Sequence, residues 1–176
     1  MFLFLMLAQF AVAAPQPLSV SPGESALVFG LPSVNETVAV SLVNRSQISL
    51  ADFTGIMPPQ PRKAVVVHFF DKSHGSDTLK ALNRLQKRFA GKSVQMLAVC
   101  ADDGNPTALA EWVESQKLTF PVLRDGHGVV VDRYGITELP VTIVVDEHGR
   151  VFAIGQPKGE TAEAAIEAEI NGLIRR

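Results

Sequence analysis

The sequence predicts an α/β sandwich built on a central mixed sheet, and three observations predict it. Residues 64–70 and 94–100 are almost continuously apolar, the pattern of strands covered on both faces. Helical spacing follows each of them: Leu79, Leu82, Leu85 and Phe89 after the first, Leu109, Trp112 and Val113 after the second. A third apolar run, 141–145, leads through Asp146-Glu147-His148-Gly149 into residues 150–154 and then a terminal helical stretch. Strands alternating with helices and closing in a β-hairpin plus helix require parallel and antiparallel neighbours in one sheet.

The elements follow in order. Met1 to Ala14 carries one polar side chain, Gln9, and ends in Ala11-Val12-Ala13 before Ala14-Pro15-Gln16-Pro17. Residues 1–13 are read as a signal peptide with an A-x-A cleavage site, although the usual basic leader is missing. The run is shorter than the roughly 20 residues a membrane-spanning helix needs, and the prolines break any regular continuation. Export is therefore expected, to a periplasmic or extracellular compartment. Residues 14–63 read as an N-terminal extension. Its turn signals at Leu31-Pro32-Ser33-Val34-Asn35 and Val43-Asn44-Arg45-Ser46 separate short β-branched runs that read as hairpin strands. Met57-Pro58-Pro59-Gln60-Pro61 is a stiff connector. Residues 64–176 form the alternating core, in one domain with the extension.

Within that core, an amphipathic helix is expected over residues 78–90. Asn105 before Pro106 predicts a capped helix start with proline at its first position. Thr161 is expected to cap a last helix that turns Ile166, Ile170 and Leu173 inward.

Composition limits the functional classes. Sixteen Lys and Arg against 18 Asp and Glu give a formal charge of −2, with no basic cluster for nucleic acid or an anionic membrane. The single cysteine, Cys100, excludes an internal disulfide framework. The triplets Asn35-Glu36-Thr37 and Asn44-Arg45-Ser46 fit the N-glycosylation pattern, one common by chance.

The run from Tyr134 to Val151, with Leu139-Pro140 before its strand, resembles the second half of exported thioredoxin-fold proteins of the TlpA/ResA type. That group neighbours the AhpC/TSA peroxiredoxins, together called redoxins. Leu118 to Asp125, Ile48 to Gly55 and Val65 to Phe70 support the same resemblance in the same order, over roughly residues 28–175. It implies a thioredoxin-like α/β/α sandwich with an N-terminal β-hairpin extension. It also implies a cis Leu139-Pro140 peptide, permitted because proline's tertiary amide removes most of the trans preference. The residue before that proline would offer backbone hydrogen bonds to a substrate polypeptide. The alternative is a trans proline that only starts a strand.

The chain departs from the family at its reactive turn. Counting from Phe69 places the two Cys-x-x-C sulfurs at His74 and Asp77, inside Asp71-Lys72-Ser73-His74-Gly75-Ser76-Asp77. Thiol exchange needs an attacking thiolate and a resolving thiol, and peroxidase chemistry needs a sulfur near the same turn. Ser73 and Ser76 lack an evident base and oxyanion site. Cys100, at the end of a buried strand, reads as a small hydrophobe. Its place at the carboxyl end of the sheet keeps a reactive role as the alternative.

His74 and Asp77 at i, i+3, with His68 one strand away, raise a metal set, but soft ligands are missing and His68 reads as a core histidine. No metal or cofactor is expected, and His127 and His148 fall in glycine-flanked turns. Asp77 or Ser76 would cap the helix. The turn amides could take an anion or a partner's carboxylate, and the proline edge an extended peptide by β-addition. The expected binding residues are Ser73, His74, Gly75, Ser76, Asp77, Leu139 and Pro140. The expected function is polypeptide or envelope-protein binding, or a structural role, without thiol chemistry. The alternative is a thiol-disulfide oxidoreductase or peroxidase using Cys100.

Overall fold

The computed structural model describes residues 18–176, so the expected signal peptide lies outside the described residues. Five strands form the central sheet: β3 (Ala64–Phe70), β4 (Val94–Cys100), β5 (Val122–Arg124), β6 (Val141–Asp146) and β7 (Val151–Gly155). Their order is β5-β4-β3-β6-β7. β3, β4 and β5 run parallel, whereas β6 is antiparallel to β3 and β7 to β6. This is the mixed sheet the alternation predicted.

Strand period 2 sorts the central residues onto two faces. Val65, Val67 and Phe69 of β3 pack with Leu97, Val99, Ile143 and Val145 on one side. Ala64, Val66 and Phe70 pack with Met96, Ala98, Cys100 and Val144 on the other. Helix α2 (Thr78–Arg88) places Leu79, Leu82 and Leu85 on the second face. Leu109 and Val113 of α3 (Pro106–Ser115) and Ile166 and Ile170 of α5 (Ala162–Ile174) join them. Arg84 and Arg88 of α2 pair with Glu163 and Glu167 of α5 along their exposed seam. The first face is closed by Val130 and Val131 of the short α4 (Val129–Arg133), by Tyr134, and by the N-terminal region.

That region differs in part from its expected form. Short strands β1 (Gly30–Pro32) and β2 (Gln47–Ser49) do pair antiparallel. The run between them, read as strand, is instead helix α1 (Glu36–Val43). The β-branched residues between the two turn signals suggested a strand. Tertiary anchoring overrides it, because Asn35 is pinned to β5 by bonds to Phe120 O and from Val122 N, both 2.9 Å. The helix then buries only Ala39 and stops at Asn44, whose φ of 58° is left-handed.

The same region covers both sheet edges. Ser33 bridges Leu123 on β5, and Ser25 bridges Arg150 at the start of β7. Gly23 N and Glu24 O bond Val151 at 2.7 and 2.8 Å. Edges so occupied cannot template pairing with another chain along those stretches. No helix among the described residues is long and apolar enough to cross a membrane.

β4, reached from β3 through α2, and β6, reached later from α4, lie on opposite sides of β3. Open α/β sheets place a crevice at the carboxyl end of such a strand. Here that end leads directly into residues 71–77.

Candidate functional site

The turn after β3 is organised by Asp71. Its Oδ1 accepts from Ser73 N at 2.7 Å and His74 N at 2.6 Å, an Asx-type turn. The His74 ring lies beside the same carboxylate, with Nδ1 3.0 Å from both oxygens. A carboxylate accepts only, so Nδ1 carries the hydrogen and a neutral His74 keeps its lone pair on Nε2. Lys72 N donates to Asp102 Oδ2 at 3.1 Å, and the Ser76 hydroxyl donates to Lys72 O at 3.1 Å. Asp77 caps α2 by accepting from Thr78 N at 3.0 Å.

These bonds occupy the first three amides of the turn. The turn amides of Lys72, Ser73 and His74 already donate to carboxylates of this chain. An anion approaching Ser73 N or His74 N would meet Asp71 first.

The Leu139-Pro140 peptide is cis, as the resemblance implied. Gly75 lies directly against it: a Cβ on Gly75 would come 2.6 Å from Pro140 Cβ, 3.1 Å from His68 Nε2 and 3.2 Å from Phe70 Cβ. Its φ of +92° is also a conformation that side chains disfavour. Only glycine lets the turn close on the proline. None of the hydrogen bonds among the described residues involves the backbone of Leu139. A cleft of about 450 Å³ lined by Asp71, His74, Thr137, Glu138 and Leu139 opens beside it.

His68 lies beneath the turn, fully buried. Its Nε2 is 3.1 Å from Gly75 O and its Nδ1 2.9 Å from Thr142 Oγ1. A carbonyl accepts only, so Nε2 donates and Nδ1 accepts from the threonine hydroxyl. Burial lowers the pKa of His68 to about 4, against smaller opposing effects of the Gly75 bond and the Asp77 charge. Both ring nitrogens are committed to the protein. His68, His74 and Asp77 each have a different partner, and no group of three or more His, Cys, Asp or Glu suited to a metal occurs among the described residues.

Cys100 is fully buried at the end of β4, paired in register with Phe70. Its thiol donates to Asp102 Oδ2 at 3.5 Å. Burial raises the thiol pKa to about 12, with the Asp102 charge adding to the rise, its backbone bond opposing it, and the Lys72 charge opposing it more weakly. A thiolate is therefore scarce near neutral pH.

The structure brings Gly75, Pro140 and His68 into contact and sets Leu139 and His74 on one cleft. Ser73 and Ser76 serve the turn itself, and Asp77 the helix cap. Asp71, Asp102, Thr142 and Glu138 were not singled out from the sequence. For Asp71 a signal existed, since Asp two residues before Ser is an Asx-turn pattern. Asp102, Thr142 and Glu138 meet the site through sheet pairing and loop closure that spacing does not show.

This sheet order, the cis proline and the turn facing it define a thioredoxin-fold redoxin of the TlpA/ResA-like kind. The chain belongs to the AhpC/TSA family, whose family model matches residues 22–154. Thiol-disulfide oxidoreductase ResA of Bacillus thuringiensis subsp. konkukian is 28% identical over 123 residues, 69% of this chain and 65% of that protein. This chain thus spans just under two thirds of that relative's length. ResA of Oceanobacillus iheyensis is 28% identical over 155 residues, 86% of this chain and 72% of that protein. Among solved structures, a putative thiol:disulfide interchange protein DsbE from Chlorobium tepidum superposes with a TM-score of 0.72 at 23% identity. It covers 89% of this chain and 99% of its own. That likeness carries the fold alone.

Proposed function

We propose that this chain is an exported redoxin that binds extended polypeptide at its cis-proline edge and performs no thiol chemistry of its own. The observation that carries this reading is the composition of the turn. Where the family resemblance places two sulfurs stand His74 and Asp77, each engaged in hydrogen bonding within the protein. The lone thiol of Cys100 is buried and held protonated. Neither imidazole nor carboxylate can form the mixed disulfide that exchange requires.

Peptide binding is favoured by the backbone of Leu139, which an extended segment could pair with by β-addition. Gly75 packed on Pro140 holds that edge in place. The apolar leader 1–13 and its A-x-A site favour export.

A second reading follows from the printed names of the relatives. It makes the chain a thiol-disulfide oxidoreductase or peroxiredoxin-type enzyme that uses Cys100. Binding without thiol chemistry is tested with an unfolded polypeptide that carries no reactive sulfur. Reduced, carboxymethylated α-lactalbumin, which offers no free thiol or disulfide, is titrated into the isotopically labelled protein and amide shifts are followed. Binding should perturb residues 73–77 and 137–141. No perturbation at millimolar concentrations, or perturbation confined to another face, contradicts the binding reading.

A further inference from the structure

Resting on that peptide-binding reading, we propose that the cleft beside Leu139 selects extended polypeptides that carry a Lys or Arg side chain two positions from an apolar one. The cleft holds two carboxylates, Asp71 and Glu138, and one imidazole, His74. Asp71 is committed to the turn and to His74. Glu138 differs: no hydrogen bond or ion pair reaches its carboxylate among the described residues. With His74 neutral the cleft carries two negative charges, and with His74 protonated it still carries one.

Lys or Arg on a partner would find an unpaired carboxylate, while Asp or Glu would meet like charge.

Thr137 and Glu138 also line an adjoining groove of about 280 Å³ whose walls include Leu18, Val141 and Ile154. An apolar side chain fits there. Successive side chains of an extended segment point to opposite faces. A basic residue and an apolar residue two positions apart can therefore occupy cleft and groove together while the backbone between them runs along Leu139.

The test compares two fluorescent heptapeptide pools by anisotropy against the full purified chain. The pools are randomised without cysteine at every position except the fourth, fixed as Lys in one and Glu in the other. The Lys pool should bind about fivefold tighter at low salt, as expected for one solvent-accessible ion pair, and the preference should shrink at 0.5 M salt. Glu138→Gln should remove most of that preference, weakening the Lys pool and relieving the repulsion felt by the Glu pool. Glu114→Gln, an equal charge change on the exposed face of α3, should leave the preference in place and so exclude net charge as its source. Equal binding of both pools overturns the proposal while leaving the peptide-binding reading standing. A Lys preference that survives Glu138→Gln also overturns it. Binding of neither pool overturns the underlying reading together with the selectivity.

Discussion

His68 Nε2 donates to the carbonyl of Gly75 across 3.1 Å, joining the central strand to the turn that faces Pro140. The bond fixes one tautomer of a fully buried imidazole, and a charged ring would have to be accommodated without water.

Stability should consequently depend on pH through His68. Its folded pKa of about 4 lies below the unfolded value near 6.5. Between these values the unfolded chain binds more protons, so stability rises with pH. The contribution is complete above about pH 6.5 and is lost as pH falls towards 4, amounting to at most about 3 kcal/mol. Urea unfolding at pH 7 and pH 4.5 should show a larger drop in the wild type than in His68→Gln. Equal drops would place the pH dependence on other groups.

Gly75→Ala should be far costlier than an alanine at an open left-handed glycine. At Gly75 the new methyl meets Pro140, His68 and Phe70, whereas at Gly91, with φ +80°, nothing lies within 4 Å. Gly91→Ala should cost about 1 kcal/mol from backbone conformation alone. Gly75→Ala should cost more than about 2 kcal/mol. Equal losses in thermal or urea unfolding would show that the turn does not press on the proline.

Asp71 should matter through the acceptor it supplies. Asp71→Ala removes the acceptor of Ser73 N and the shorter of the two bonds from His74 N, which also donates to Asp71 O at 3.2 Å, and should cost about 1–2 kcal/mol. Asp71→Asn retains an oxygen at Oδ1 and should lose less than half as much. An asparagine variant as unstable as the alanine variant would assign the effect to charge instead of hydrogen bonding.

The native thiol of Cys100 should be nearly inert. Its alkylation by iodoacetamide at pH 8 should run roughly a hundredfold slower in the folded chain than in 8 M urea, because burial both shields the sulfur and disfavours the thiolate. A native rate matching the unfolded one would mean that the strand end opens readily.

Much of the fold was legible because its signals are local. The two apolar runs became β3 and β4 at the expected bounds, and Asn105 with Pro106 began α3 as its chemistry requires. The expected helix over 78–90 ends at Arg88, within the usual fraying of helix ends. Helix α1 was misread because β-branched propensity in a short segment competes poorly with tertiary anchoring, here of Asn35 on β5. The candidate site was legible as a place but not as a network. The missing sulfurs and Pro140 are visible in sequence, whereas the bond from His68 to Gly75 and the reach of Asp102 to Lys72 N depend on strand register. The amides of Lys72, Ser73 and His74 looked available in sequence because the carboxylates that occupy them are identified only once the chain has folded.

The central claim concerns chemistry at that turn, and disulfide turnover tests it most directly. Insulin reduction by a dithiol donor should proceed at the uncatalysed rate with the wild-type chain and with Cys100→Ser alike. Robust turnover by the wild type that disappears in Cys100→Ser would contradict the account and make Cys100 the working thiol.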